Sequence, residues 1–246
     1  LVGSEMCIRD SFSANEAPKI SSYLVKNKKN IVGIFLTHGH ESHIGALPDI
    51  VRAIPGLSVY GAKLTLDILK KDMSDEDLKK VKLVEIKPHV KINFGRLSVF
   101  PISVTHSIPD SLLYVLYTKD GAIVYTGDFV FDSTVPEKYK TDIGKLAYVG
   151  KQGVLCLLSE SIYAEREGHT SPNNRAASFI RDVLSKSEDR IIATVFPAHF
   201  YRIQELLNEV SKTHRKVVIM GKRLQETINY ARENGYINFD KRIVGD

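Results

Sequence analysis

The chain alternates short apolar runs with segments in which apolar residues recur at helical spacing. Residues 30–36 form an almost wholly apolar run, which predicts a buried strand, and the polar residues 37–43 follow it directly. More strand candidates follow at residues 57–60, 82–86, 90–94, 97–104, 112–117 and 122–125. The pattern predicts a strand-rich first half with few helices, at residues 44–50 and 63–71.

The second half has a different pattern, in which strands and helices alternate regularly. Residues 154–158 predict another buried strand, which contains Cys156. After it the pattern predicts a helix at 172–185, a strand at 190–196, a helix at 202–213, a strand at 217–220 and a helix at 224–233. Such a βαβα series indicates a parallel sheet, so the chain is expected to be α/β with a boundary near residue 159.

The first residues do not fit the rest of the chain. Residues 1–11 resemble a translated fragment end rather than native protein sequence, and they are left out of the fold prediction. A genuine N-terminal strand is the alternative. We expect one domain over residues 12–158 and a second over residues 159–246, within a longer protein.

Composition narrows the class of protein. Of the 246 residues, 43% are hydrophobic and 26% are charged, which is ordinary for a globular protein and excludes a fibrous or disordered chain. No apolar run approaches the roughly 20 residues of a membrane span. Two cysteines cannot form a disulfide framework, so a reducing, cytoplasmic compartment is expected. The net charge of +5 is compatible with an anionic partner such as RNA.

Three of the eight histidines lie together, directly after the first predicted strand. His38 and His40 are two residues apart, so both side chains can point the same way from an extended loop. His43 lies one turn further on and can approach the same centre from a helix. Because neutral imidazole is a common metal ligand, the cluster predicts a metal site. A chance group of solvated histidines and a pH sensor are the alternatives.

Two isolated residues strengthen the metal interpretation. His106 follows the predicted strand at 97–104, and Asp128 follows the one at 122–125. Sites on α/β sheets commonly assemble past the ends of strands. Taken alone, His106 would more often be structural and Asp128 a turn residue. Because both follow buried strands, we expect the ligating atoms of His38, His40, His106 and Asp128 to lie within about 5 Å of one centre.

These motifs resemble those of one protein family. The sequence HGHESH at residues 38–43 resembles the HxHxDH motif of the metallo-β-lactamase fold, and His106 and Asp128 match its later metal motifs. Longer strings are similar to ribonuclease J, a family that carries an inserted β-CASP domain. These strings are THGHE (37–41), HIGALP (43–48), HSIPDS (106–111), YTGDF (125–129), LSES (158–161), AEREGHT (164–170) and YRIQ (201–204).

The resemblance implies a fold and a set of metal ligands. The fold would be a partial αββα sandwich, followed by the first part of a parallel α/β β-CASP domain. Carried over by position, His38, His40 and His106 would hold a first Zn²⁺ ion. His43 would help hold a second, and Asp128 would bridge both.

The resemblance also implies an activity and supporting residues. Glu160 matches an acidic motif that supports a metal-bound histidine. Ser107 and Arg202 lie in matching strings and are candidate RNA-binding residues. The chemistry would be hydrolysis of RNA phosphodiester bonds, from the 5′ end or internally, in RNA processing and decay. Assembly with itself or with a ribonuclease J paralogue is expected.

Ser42 departs from the family motif, which has an aspartate that ligates the second metal and helps activate water. A serine hydroxyl is neutral and a poor zinc ligand, so the second site is expected to be weakened. The departure is typical of a weakly active second paralogue that partners an active enzyme.

Three functions therefore compete. The leading hypothesis is a zinc-dependent ribonuclease, and Ser42 favours the second, a weakly active or inactive RNA-binding subunit. The third is a small-molecule metallo-hydrolase such as a thioesterase or lactonase. The Glu160 motif and the helices after it argue against this third hypothesis.

Overall fold

A computed structural model describes residues 17–132, 135, 139–162, 164–168 and 174–245. These residues form two compact units. The first unit takes its described residues from 1–106, 110–131 and 139–168, and the second from 107–109, 132–138 and 169–246. The expected non-native residues 1–11 lie outside the described residues, and the boundary after residue 158 stays a prediction.

The first unit contains helices and strands in nearly equal measure. Its helices are α1 (Ala17–Lys26), α2 (Glu41–Ile44), α3 (Leu47–Ala53), α4 (Lys63–Asp72), α5 (Asp75–Leu78) and α6 (Ile143–Gln152). Its strands are β1 (Ile34–Phe35), β2 (Leu57–Gly61), β3 (Val81–Glu85), β4 (Ile92–Phe94), β5 (Leu97–Ser103), β6 (Leu112–Thr118), β7 (Gly121–Tyr125) and β8 (Val154–Leu158). Side-chain caps begin two of the helices: Ser74 accepts from the Asp77 amide at α5, and Asp142 accepts from the Lys145 amide at α6.

The strands form two sheets of different type. The three-stranded sheet has the order β1-β2-β3 and is parallel throughout. The five-stranded sheet has the order β4-β5-β6-β7-β8, in which the pairs from β4 to β7 are antiparallel and β8 lies parallel to β7. The predicted α/β class is confirmed.

The two sheets pack face to face with helices outside them. One apolar cluster joins the facing sides of the sheets and includes Val99, Leu112 and Tyr114, with Phe35 and Tyr60 packed against it. A second cluster lies between the three-stranded sheet and helices α3 and α4, and a third lies between the five-stranded sheet and α6. Successive side chains of a strand point to opposite faces, so β5 and β6 contribute alternately to the inner and outer clusters. The layers therefore run helix, sheet, sheet, helix, which is the expected αββα order.

Strand β8 forms where it is predicted, but the expectation that it is buried is wrong. Among the described residues it is an edge strand that pairs with β7 alone, and four of its five residues are exposed. Cys156, expected to be buried, is likewise exposed. An apolar run predicts a strand, but the strand is buried only if other residues pack over it. No described residue covers β8 in this way.

The second unit contains α7 (Asn174–Lys186), α8 (Phe200–Val210), α9 (Lys222–Glu233) and a 3₁₀ turn at Lys241–Ile243. The helices agree with the prediction, but the predicted strands at 190–196 and 217–220 are wrong. Among the described residues these segments form only an isolated parallel bridge between Val217 and Val244. A strand needs a hydrogen-bonded partner, and two lone residues are too few to build a sheet.

Two smaller differences concern the first unit. The predicted buried strand at 30–36 shortens to β1, whose two residues are only half-buried; a 3₁₀ turn at Lys28–Asn30 includes the first residue of the predicted range, and Val32 is exposed. Helices α1 and α6 were not predicted, so the expectation of few helices in the first half is wrong. No helix of the described residues has both the length and the apolarity that crossing a membrane requires.

Candidate metal centre

Sheet topology places three chain segments at one edge of the five-stranded sheet. Strands β5 and β7 are both antiparallel to β6, so they run parallel to each other and end at the same edge. Strand β8 is parallel to β7 and ends there too. His106 follows β5, Asp128 follows β7 and Glu160 follows β8, each within a few residues. The side chains therefore start from neighbouring positions.

The segment after β1 reaches this edge through hydrogen bonds between the sheets. The amide of Leu112, at the start of β6, donates to the Thr37 carbonyl over 2.9 Å. The buried hydroxyl of Tyr114 donates to the Leu36 carbonyl over 2.5 Å. These bonds hold residues 36 and 37 against β6, so the histidines that follow lie beside the ends of β5 and β7.

The segments after β5 and β7 are also tied to each other. The Val130 amide donates to the Thr105 carbonyl over 2.8 Å. Thr105 in turn exchanges hydrogen bonds with Thr141: each backbone amide donates to the other residue's hydroxyl, over 2.9 and 3.0 Å. The residues next to His106 and Asp128 are therefore held by defined contacts.

The structure brings together the four side chains that were expected to converge. His38, His40, His106 and Asp128 each offer a ligating atom, and these atoms lie within 4.8 Å of one another. We call these four residues the His–Asp cluster. Nδ1 of His40 lies 3.1 Å from Nε2 of His106. Oδ2 of Asp128 lies 3.7 Å from Nε2 of His38 and 3.8 Å from Nε2 of His106.

His43 lies beside the His–Asp cluster. Its Nε2 is 3.4 Å from Oδ2 of Asp128, and its ring centroid is 4.0 Å from that of His38. The Thr37 hydroxyl is 3.1 Å from Nδ1 of His38 and 3.4 Å from Nδ1 of His43. One threonine thus orients two of the histidine rings and turns the Nε2 atoms of both towards Asp128.

The donor set fits a metal ion. His38 is wholly buried, and its Nε2 has no hydrogen-bond partner among the described residues; the same holds for Oδ1 of Asp128. A buried polar atom without a partner costs free energy, which coordination of a cation would offset. Three imidazoles with one carboxylate form a donor set suited to zinc.

Burial and charge set the protonation of these ligands. Burial, then the neighbouring His43, His106 and His40, lower the pKa of His38 well below its usual value. The ring is therefore neutral and able to ligate. Burial raises the pKa of Asp128, but the hydrogen bond from His43 and the charges of the nearby histidines outweigh it and lower the pKa overall. Asp128 is therefore an ionised carboxylate, the form that binds cations.

Glu160 contacts the backbone next to Asp128. Its Oε1 accepts a hydrogen bond from the Phe129 amide over 2.7 Å, and its own amide is 3.3 Å from the Thr126 hydroxyl. Burial raises the pKa of Glu160, and the charge of Asp128 raises it further, although the Phe129 hydrogen bond opposes this. The carboxylate thus holds the segment that carries Asp128. Its predicted support of a histidine stays a prediction.

Ser42 is exposed on α2. With Thr37 and His43 it lines part of a largely apolar cavity of about 400 Å³ in the first unit. The four members of the His–Asp cluster do not include it.

Ser107 and Arg202 belong to the second unit. The Tyr201 amide donates to the Ser107 carbonyl over 3.5 Å, and Arg202 forms an ion pair with Glu205 at 2.6 Å. The RNA-binding role of both residues stays a prediction.

Sequence reasoning missed two residues that shape the site. Thr37 contacts two histidines, yet a single threonine before a histidine carries no distinctive signal. Gly127 has φ 58°, and a Cβ built on it would lie 2.8 Å from Cγ2 of Thr37. A glycine directly before the candidate ligand Asp128 was a usable signal, because a positive φ favours glycine.

Known proteins resemble the chain along its whole described length. Residues 10–200 match the model of the beta-lactamase superfamily domain, and residues 188–246 match that of the ribonuclease J beta-CASP domain. The resemblance to ribonuclease J is thereby confirmed.

Individual relatives show the same likeness. A protein named ribonuclease J 2 from Staphylococcus aureus strain MRSA252 is 38% identical over 224 residues, which cover 91% of this chain and 40% of that protein. Ribonuclease J 2 of Staphylococcus saprophyticus is 37% identical over 223 residues, covering 90% of this chain and 40% of that protein. The chain therefore spans well under half the length of these relatives.

One solved structure shows a similar fold. It is a protein of unknown function from Enterococcus faecalis V583, with a TM-score of 0.59 and 20% sequence identity. The match covers 84% of this chain and 50% of that one.

Proposed function

This chain belongs to the beta-lactamase superfamily, and from that premise we propose that it carries the metal centre of a ribonuclease that hydrolyses phosphodiester bonds in RNA. The observation that carries the proposal is the His–Asp cluster, in which two buried side-chain atoms have no hydrogen-bond partner among the described residues. The choice of RNA as substrate is supported by the likeness to proteins named ribonuclease J 2.

The proposed ligand sets are those that the resemblance implies, and the contacts support them. His38, His40 and His106 would hold one Zn²⁺ ion, His43 would help hold a second, and Asp128 would bridge both. Bound zinc lowers the pKa of water and offsets negative charge on a phosphate.

The other residues of the site orient the ligands. Thr37 holds the rings of His38 and His43, so that their Nε2 atoms face Asp128. Glu160 holds the Phe129 amide and, through it, the segment that carries Asp128. These contacts hold the donor atoms in the arrangement that a cation would bind.

Replacing one ligand tests the proposal. Changes to groups that merely support metal ligands cost about 10- to 100-fold in affinity or activity, so removing the ligand His38 should cost at least about 100-fold. We expect His38→Ala to lose zinc, measured by elemental analysis, and cleavage of a labelled RNA. His89→Ala is the matched control, because His89 pairs with Asp142 outside the cluster. Equal zinc content and equal cleavage in the two variants would overturn the proposal.

A second function is favoured by Ser42. A chain with a neutral hydroxyl at this position would hold the second metal weakly and hydrolyse RNA slowly, as a subunit that binds RNA beside an active paralogue or a second copy of itself. Both functions place the protein with RNA in the cytoplasm.

Ser42→Asp separates the two functions. If the subunit hypothesis holds, the variant should gain bound zinc and cleave RNA about tenfold or more faster, because an anionic ligand is added next to His43. Ser42→Asn, which adds similar bulk without the charge, is the control. A natural serine form that already binds two zinc ions and cleaves as fast as the aspartate form would rule out the weakened site.

A further inference from the structure

An exposed aromatic residue follows the His–Asp cluster directly along the chain. Phe131 is three residues beyond Asp128, and its side chain is 64% exposed. Its ring meets that of Phe129 edge to face, with centroids 5.3 Å apart and an interplanar angle of 68°. Phe129 is itself packed against the core cluster below the five-stranded sheet. Phe131 therefore contacts a half-buried ring, while most of its own side chain is open to solvent.

The backbone around Phe131 is held on both sides of the site. The Val130 amide donates to the Thr105 carbonyl over 2.8 Å, next to His106. The Phe129 amide donates to Glu160 over 2.7 Å. Three residues span at most about 11 Å, so the Phe131 backbone lies within that distance of the Asp128 backbone. Phe131 therefore lies on a supported segment whose backbone is close to that of a proposed metal ligand.

The place of Phe131 in the chain distinguishes it from other exposed apolar residues. Single exposed hydrophobic side chains are common on protein surfaces and by themselves mean little. Phe131 closely follows a ligand of the cluster proposed to act on a phosphodiester, whose neighbouring nucleotides each carry a flat base. Proteins that bind single-stranded nucleic acid combine positive charge with aromatic rings on which bases stack, and this chain carries a net charge of +5.

We propose that Phe131 is a stacking residue for a nucleobase of single-stranded RNA, which positions the nucleotide next to the bond that is cut. The inference rests on the proposed ribonuclease function. Since any base offers a flat face, the residue would contribute affinity and position with little sequence preference.

The absence of tryptophan from the sequence allows a direct test. Phe131→Trp creates a chain with a single tryptophan, whose fluorescence reports stacking without relying on activity. We expect quenching when a hydrolysis-resistant phosphorothioate oligoadenylate is added. An oligomer of the same charge that lacks bases should not quench. Phe179→Trp is the matched control, because Phe179 is 69% exposed on α7 in the second unit, and it should not respond.

Kinetics provide the second measurement. Phe131→Ala should raise KM for single-stranded RNA about tenfold, with a smaller change in kcat, and Phe131→Tyr should restore the KM. Unchanged KM in the alanine variant, or no quenching by the oligoadenylate in a chain that cleaves RNA, would overturn the stacking role and leave the proposed function intact. A wild-type chain that neither binds nor cleaves RNA would instead overturn the proposed function.

Discussion

The two units use the same kinds of segment with different results. In the first unit, the apolar runs pair into two sheets, whose faces are covered by each other and by helices α3, α4 and α6. In the second unit, α7 and α8 pack together, but the apolar segments between the helices stay exposed among the described residues. Ile192 is 87% exposed and Met220 is 81% exposed.

The difference shows what an apolar run needs in order to become part of a core. In the first unit each inner strand has hydrogen-bonded neighbours on both sides, and its residues reach a packed layer. The candidate metal centre then forms where several paired strands end together. In the second unit Val217 finds a single bridge partner, so no comparable sheet edge exists in the described residues.

The largest expected difference in unfolding free energy is between variants of a buried and of an exposed isoleucine. Ile102 of β5 is fully buried, so Ile102→Ala should lower the free energy of unfolding by about 2–5 kcal/mol. Ile192→Ala in the second unit should change it by no more than about 0.5 kcal/mol. Urea denaturation followed by circular dichroism measures both values. A similar loss for both variants would mean that residues 190–196 pack in solution, and the contrast between the units would be wrong.

Two glycines of the first unit allow its candidate site to be compared with one of its turns. Gly127 and Gly95 both have positive φ, 58° and 63°, so alanine should strain the backbone at each. At Gly127 the added Cβ would also lie 2.8 Å from Thr37, whereas at Gly95 nothing lies within 4 Å. We expect Gly127→Ala to cost about 1–3 kcal/mol more in unfolding free energy than Gly95→Ala.

Zinc affinity provides a second measurement on the same two glycine variants. Thr37 orients His38 and His43, so displacing it should weaken zinc binding in Gly127→Ala and leave it unchanged in Gly95→Ala. Isothermal titration with zinc distinguishes the variants. Equal affinities would show that the ligands tolerate movement of Thr37.

The smallest expected effect concerns the pairing of α7 with α8. Hydrogen bonds from Arg181 and Lys212 lower the pKa of Glu209 to about 2. A lowered folded-state pKa stabilises the folded form at pH values above the unfolded pKa near 4.5, and the stabilisation is lost as pH falls towards 2. Since Arg181 is largely exposed, solvent screening keeps this contribution small.

Unfolding measurements between pH 6 and pH 2 test this pair. Glu209→Gln should show a smaller loss of stability than the wild type between pH 4.5 and pH 2, because the variant has no carboxylate to protonate there. Identical pH profiles would mean that the Arg181 pair adds nothing to the second unit.

Much of the secondary structure could be predicted from the sequence. The alternation of apolar and polar residues located β2 to β8 to within about two residues, since side-chain spacing along a strand is set locally. Helix α6 was missed, and its role depends on Leu146 and Val149 meeting the five-stranded sheet. The predicted strands at 190–196 and 217–220 did not form. Their composition suits a strand, but a strand also needs pairing partners, and these are not set by neighbouring residues in the chain.

The features of the candidate site can also be separated into those that neighbouring residues set and those that the tertiary structure sets. Neighbouring residues alone fix which residue types are present to bind a metal and that His38, His106 and Asp128 each follow a strand. Strand pairing and sheet packing bring the strand ends to one edge, place Thr37 against two rings and place Glu160 against the Phe129 amide. Apart from the contact between the neighbours Thr37 and His38, these hydrogen bonds join residues 6 and 31 positions apart, and such contacts form only when the chain has folded back on itself.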